Sequence, residues 1–104
     1  MEYLNKIELK GRVGQVNIIN VANTRGAHFS LLTQRIYKNN GGEAVIEDTW
    51  HDVTAWENEG VMIDAIERGA SLHVTGRIRF RRYAGPDGIE RSTHDIDASI
   101  VEPC

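Results

Sequence analysis

The feature that most constrains this sequence is a period-two alternation of apolar and polar side chains. It recurs in short stretches closed by glycine- or asparagine-rich turn residues. Over residues 5–13, Ile7, Leu9 and Val13 share one parity and Lys6, Glu8, Lys10 and Arg12 the other, the pattern of a half-buried strand. A second extended run, 27–37, holds Phe29, Leu31, Leu32 and Ile36, and its imperfect parity predicts a β-bulge there. Asn39-Asn40-Gly41-Gly42 supplies a turn, after which 44–56 returns antiparallel. Val61, Met62, Ala65 and Ile66 recur at helical spacing, with Gly69 placed to end a short helix. Residues 71–83 are again strand, Ala84-Gly85-Pro86-Asp87-Gly88 is a turn, and 89–101 is the last strand. The order predicts an all-β protein: a five-stranded Greek-key barrel of the OB type, with one short helix between strands 3 and 4. At 104 residues the chain, 1–104, reads as one domain whose modest core would gain from self-association.

Alternate side chains of a strand point to opposite faces, so parity separates core from surface. In the fourth strand Leu72, Val74, Ile78 and Phe80 form the apolar set, while His73, Thr75, Arg77, Arg79, Arg81 and Tyr83 form an outer row. In the third, Val53 and Ala55 suit the core, and Trp50, Asp52, Thr54 and Trp56 share the other side. A lone tryptophan commonly caps a core. Two on one polar parity, next to a strand carrying a row of arginines, need another reason. Aromatic faces accept any base, and arginine both pairs phosphates and stacks, which together suit sequence-tolerant binding of single strands. Strand edges often carry charge to discourage aggregation, but four arginines within residues 77–82 exceed that need. Lys6, Lys10 and Arg12 read equally well as a solvated strand face. Arg25, Arg35 and Lys38 extend the basic track only if the fold brings them near it.

The net charge of −3 runs against a bulk basic signature, so any field that attracts phosphate must be local. No apolar run approaches the ~18 residues of a membrane span. The start, Met1-Glu2-Tyr3-Leu4-Asn5-Lys6, is not a signal peptide, so a cytoplasmic location is expected. Cys104 has no second cysteine to bond. His28, His51, His73 and His94 are dispersed, without zinc-site spacing. Gly11-Arg12-Val13-Gly14 lies in strand-like sequence and reads as a turn or bulge. Asp95 and Asp97 share a strand face and read as charges meeting water. No nucleophile is paired with a base. Neither an enzyme, a metal site nor a cofactor is expected.

Three stretches carry a family likeness: Leu4-Asn5-Lys6-Ile7-Glu8-Leu9-Lys10-Gly11-Arg12-Val13-Gly14, Asp48-Thr49-Trp50-His51-Asp52-Val53, and Arg68-Gly69-Ala70-Ser71-Leu72-His73-Val74-Thr75-Gly76-Arg77-Ile78-Arg79. In these the chain resembles the DNA-binding core of bacterial single-stranded DNA-binding proteins. The resemblance implies base stacking on Tyr37, Trp50, Trp56 and Tyr83, with Arg77, Arg79 and Arg81 expected on phosphates. It implies a homo-oligomer, dimer or tetramer, with His51 at a subunit contact, and a role in DNA replication, recombination or repair. Two stretches depart from the family pattern. The chain stops at Val101-Glu102-Pro103-Cys104 without the acidic tail that recruits protein partners, and 17–26 is unlike the usual first connection. A tail-less chain also fits a relative, the small OB-fold protein of the replication-restart primosome. The alternative is therefore a protein-interaction module using the same aromatic face. DNA and RNA stay equally open as ligands on the residues alone.

Overall fold

The computed structural model describes residues 3–104, apart from the side chain of Arg81. Its strands are β1 (Ile7–Val21), β2 (Thr24–Lys38), β3 (Ala44–Trp56), β4 (Ser71–Ala84) and β5 (Glu90–Pro103). They close into a barrel in the order β1-β2-β3-β5-β4. All neighbours are antiparallel except β3 and β5, which run parallel and pair only over Val53, Thr54 and Ala55 with Ile96, Asp97 and Ala98. This is the expected five-stranded OB-type barrel. Its core follows the predicted parity at Val53 of β3 and at Leu72 and Val74 of β4, which are fully buried with Phe29 and Leu31 of β2 and Val101 of β5. Each such side chain contributes roughly 1.5–3 kcal/mol by leaving water. Ile78 and Phe80 of the predicted apolar set lie instead on the β4–β5 hairpin beyond the core and are about half exposed.

The expected helix does not form. Between β3 and β4 the chain makes a single 3-10 turn, Ile63–Ala65. The reason lies in the backbone groups of residues 60–62, a donor and an acceptor of which β5 claims. Val61 bridges Val101, the Met62 N–H donates to the Val101 carbonyl (3.2 Å), and the Val101 N–H donates to the Gly60 carbonyl (2.8 Å). Groups committed across to a strand are not free for a helical ladder. Val61, Ile63 and Ile66 are buried and join the barrel core, a spacing that follows this extended path rather than a helical stripe. Gly69 ends no helix. At φ +86° its N–H donates to the Val13 carbonyl (2.8 Å), while the Val13 N–H donates to the Ala70 carbonyl (2.9 Å), pinning residues 67–70 against β1.

The bulge predicted in the second strand lies in the first. The β1–β2 register shifts between Val13 and Val16, so Gly14 and Gln15 face Ser30, whose Oγ accepts the Gln15 N–H (2.9 Å). β2 itself alternates cleanly. Leu32, which broke the parity, is an outer-face residue set between Arg12 and Trp50. The unfamiliar stretch 17–26 is a tight hairpin. Val21 pairs with Thr24, and Ala22 and Asn23 both take positive φ (48° and 67°), as a two-residue turn matched to strand twist requires.

Two hairpins run past the core as arms. β2 and β3 stay paired out to Lys38 and Ala44, and β4 and β5 out to Ala84 and Glu90. The radius of gyration, 16.1 Å, exceeds the ~13 Å of a compact chain this long for that reason. β3 and β5 part beyond Val53 and Ile96, leaving a cleft between the arms lined by Trp50, His51, Ile78 and His94.

Candidate nucleic-acid interface

The β2–β3 register puts Gly26, Ser30 and Leu32 opposite Trp56, Asp52 and Trp50, all on the outer face, while Phe29 and Leu31 point inward opposite Val53 and His51. Both tryptophans therefore stand on the outer face of β3. Six residues apart on one strand, they are roughly 20 Å from each other. Trp50 is 58% exposed. Its ring lies against the backbone of Gly14, where an added Cβ would sit 2.6 Å from the ring carbon Cζ3. Trp56 is half-buried and lies on Gly26, where a Cβ would come within 2.6 Å of Cε3. Glycine is what permits a ring to lie flat on a strand at both places. Gly14 and Gly26 are thus parts of the aromatic platform, and their place opposite the tryptophans is visible only once the register is known.

The cations near Trp50 are free of counter-charge. A shallow depression is lined by Gly14, Gln15, Ser30, Trp50 and Arg68, the last brought there by the pinning of residues 67–70 to Val13. Next to it, Lys10, Arg12 and Leu32 line a second depression. Among the described residues no carboxylate lies within 4 Å of the charged groups of Lys10, Arg12 or Arg68. Arg68, quoted from the sequence only for its family likeness, is the cation the fold brings to Trp50, and Lys10 and Arg12, read there as ordinary solvated charges, lie beyond Leu32 on the same outer side. Beside Trp56 the situation reverses. Arg25 pairs with Glu57 (2.9 Å) and Asp64 (3.1 Å), so it adds little to a basic track.

Arg77 and Arg79 of β4 face outward as their parity predicted, but they meet carboxylates on β5. Arg77 donates from Nε and Nη2 to Asp97 Oδ2 (3.3 and 3.1 Å). Arg79 makes a bidentate pair with Asp95, 3.1 Å from Nε and 2.9 Å from Nη2. Those hydrogen bonds hold the Arg79 guanidinium above its ordinary pKa, against the opposing effect of burial. Asp95, expected to face water, is 8% exposed. Arg81 pairs by backbone with Thr93, and its side chain lies outside the described residues.

Tyr37 and Tyr83 sit apart from the tryptophans. Tyr37 has the inner parity, so it occupies the opposite face of the β2–β3 arm, where the Arg35 guanidinium lies 5.0 Å from its ring centre. Tyr83 lies half exposed in the outer row of the other arm, opposite Arg91. His51 points inward as predicted. Its Nε2 shares a 2.8 Å hydrogen bond with Thr33 Oγ1, and burial pushes its pKa down. Among the described residues no group of three or more His, Cys, Asp or Glu side chains is arranged to hold a metal, and no helix is long and apolar enough to cross a membrane.

The model of the single-strand binding protein family matches residues 4–104. A single-stranded DNA-binding protein of Neisseria meningitidis serogroup A is 31% identical over 102 residues, covering 95% of this chain and 59% of that protein. A mitochondrial single-stranded DNA-binding protein of Xenopus laevis, 1-B, is 27% identical and covers 94% of this chain and 74% of its own. The chain spans about three-fifths of the Neisseria relative's length. Among solved structures, the Plasmodium falciparum SSB complex with ssDNA superposes with a TM-score of 0.81 at 25% identity, covering 96% of this chain and 90% of that one. A deletion mutant of the Thermus aquaticus single-stranded DNA-binding protein has a TM-score of 0.78 at 20% identity, covering 97% and 50%, which speaks for the fold.

Proposed function

We propose that this chain, which belongs to the single-strand binding protein family, binds single-stranded DNA with little regard to sequence and catalyses no reaction. The observation that carries the reading is Trp50: an exposed ring laid on Gly14 with the unpaired Arg68 at its side and Arg12 one strand further on, across Leu32. A base stacks on such a ring whatever its identity, and the adjacent guanidinium groups meet its phosphates. Trp56 extends the platform along β3, and Tyr37 and Tyr83 offer further rings on the two arms. Arg77 stands on the outer face of β4, and the expected phosphate contact of Arg81 falls on a side chain outside the described residues. Arg79, bound to the nearly buried Asp95, is assigned to holding β4 against β5. The relatives favour strand binding over the interaction-module reading.

Self-association belongs to the same proposal. His51, Ile78 and His94 line the cleft between the arms, and Ile78 and Phe80 are about half exposed there, a surface that a second copy of the chain would cover. A cytoplasmic role in replication, recombination or repair is what the sequence and its resemblance imply, and it is proposed here beside the mitochondrial name of the Xenopus relative. The test is a tryptophan-fluorescence titration with oligo(dT) at several salt concentrations. Quenching that weakens with salt is expected, because binding releases counterions from the strand. Unchanged fluorescence at low salt together with no gel shift would sink the proposal.

A further inference from the structure

On the outer face of the β4–β5 arm, Arg77 and Arg79 stand opposite Asp97 and Asp95 in register, each guanidinium hydrogen-bonded to the carboxylate across from it. Two residues apart on one strand, the carboxylates are roughly 7 Å from each other, on the scale of neighbouring phosphates along an extended strand. They present to the arginines what a single strand would present: two anions, evenly spaced, accepting from planar guanidinium groups.

The two pairs differ in how readily a phosphate replaces the carboxylate. Asp95 is nearly buried and held by both of its oxygens, so withdrawing Arg79 would break a bidentate pair in a place largely closed to water. The Arg77 side chain is 64% exposed and uses one oxygen of Asp97 at 3.1–3.3 Å. The Asp97 side chain is itself 24% exposed, but a pair with one partner so open to water and one oxygen engaged exchanges more easily than the bidentate pair made with the nearly buried Asp95.

We propose that Asp97 is an internal stand-in for a DNA phosphate: it competes with the strand for Arg77 and thereby limits how tightly and how salt-sensitively the chain grips DNA. The inference rests on the single-strand-binding reading above and adds an affinity-setting residue to it. With Asp97 in place, DNA gains from Arg77 only the difference between two similar ion pairs. Without Asp97, Arg77 offers a phosphate its full charge and releases one further counterion on binding.

The experiment is a double-mutant cycle of Asp97→Asn and Arg77→Gln, read by tryptophan quenching with oligo(dT) over a salt series, with urea melts to show that each variant is folded. Asp97→Asn is expected to tighten binding about threefold or more at low salt and to steepen the plot of log affinity against log salt by about 0.7, one phosphate's share for a single strand. Arg77→Gln is expected to cost more affinity in the Asp97→Asn background than alone. If Asp97→Asn does not fold, Asp97→Ser carries the same expectation. A gain that persists in the Arg77→Gln background would reduce the effect to net charge and overturn the proposal. So would an Asp97 variant with unchanged affinity and slope. A natural chain that does not bind oligo(dT) would remove the functional reading itself, an outcome visible before any variant is compared.

Discussion

Two outer faces of one barrel carry cations beside aromatic rings, and they treat those cations in opposite ways. On the side of Trp50, Lys10, Arg12 and Arg68 make no ion pair among the described residues, although Asp48 and Asp52 flank the ring along β3. These cations come from β1 and from the turn pinned to it. On the β4–β5 arm, the arginines that dominate the sequence are matched strand to strand by Asp97 and Asp95. A chain with net charge −3 can still hold a locally positive face, provided that its acids sit elsewhere. Here Asp97, Asp95 and Glu90 sit against the most conspicuous arginines. The density of basic residues along a strand is therefore a poor guide to where a phosphate is drawn, and the identity of the residue across the ladder is a better one.

The sharpest test of this contrast removes one ring from each face. Trp50→Ala is expected to lose about 1–3 kcal/mol of oligo(dT) affinity, roughly 5- to 150-fold, taking the stacking contribution typical of single-strand-binding proteins as a class. Its stability should hardly change, since the ring packs on a strand surface and not in the core. Tyr83→Ala, on the arm whose cations are paired, should lose less. Equal losses measured by gel shift under the same salt would mean that the two faces bind alike.

The arginines divide by the same criterion, with a smaller effect on binding. Arg79→Gln is expected to lower stability by about 1–3 kcal/mol in urea unfolding, because it leaves Asp95 nearly buried beside a neutral partner. Arg12→Gln and Arg68→Gln should spare stability and instead make the salt dependence of oligo(dT) binding shallower by about 0.7 each, one phosphate's share. A stable Arg79→Gln protein with a shallower salt slope would place Arg79 on DNA and break the distinction.

Much of this was legible in the sequence, and what was not has a physical cause. Parity alone put Trp50 and Trp56 outward, His51 inward and the β4 arginines in one row, because side-chain direction in a strand is a local property. Pairing is not local. That Asp97 meets Arg77, that Gly14 underlies Trp50, and that residues 67–70 carry Arg68 to the same place are all consequences of register between strands distant in sequence. The helix failed for a related reason. The spacing of Val61, Met62, Ala65 and Ile66 is locally helical, but β5 took the backbone groups of residues 60–62. The apparent bulge in β2 came from counting Leu32 with the core when it is an apolar residue of the outer, aromatic face.

The smallest effect concerns the two sides of β3, where Trp50 faces outward and its neighbour His51 inward to Thr33. Burial lowers the His51 pKa from its ordinary 6.5, so the folded chain holds this imidazole neutral where the unfolded chain already takes up a proton. The contribution to stability is therefore complete above about pH 6.5. It is lost as the pH falls below that value toward the lowered folded-state pKa. Urea midpoints measured at pH 7.5 and 5.5 should fall with acid in the natural chain and fall less in His51→Gln, which keeps a side chain able to hydrogen-bond Thr33 but removes the titration. The same acidification should leave the quenching of Trp50 at saturating oligo(dT) intact, because the ring and the imidazole occupy opposite faces. Identical acid sensitivity in the two proteins would show that His51 does not carry the effect. Quenching that disappears together with stability would show that the inner and outer sides of β3 respond as one unit, and the contrast between surfaces would then have to be drawn around the whole strand.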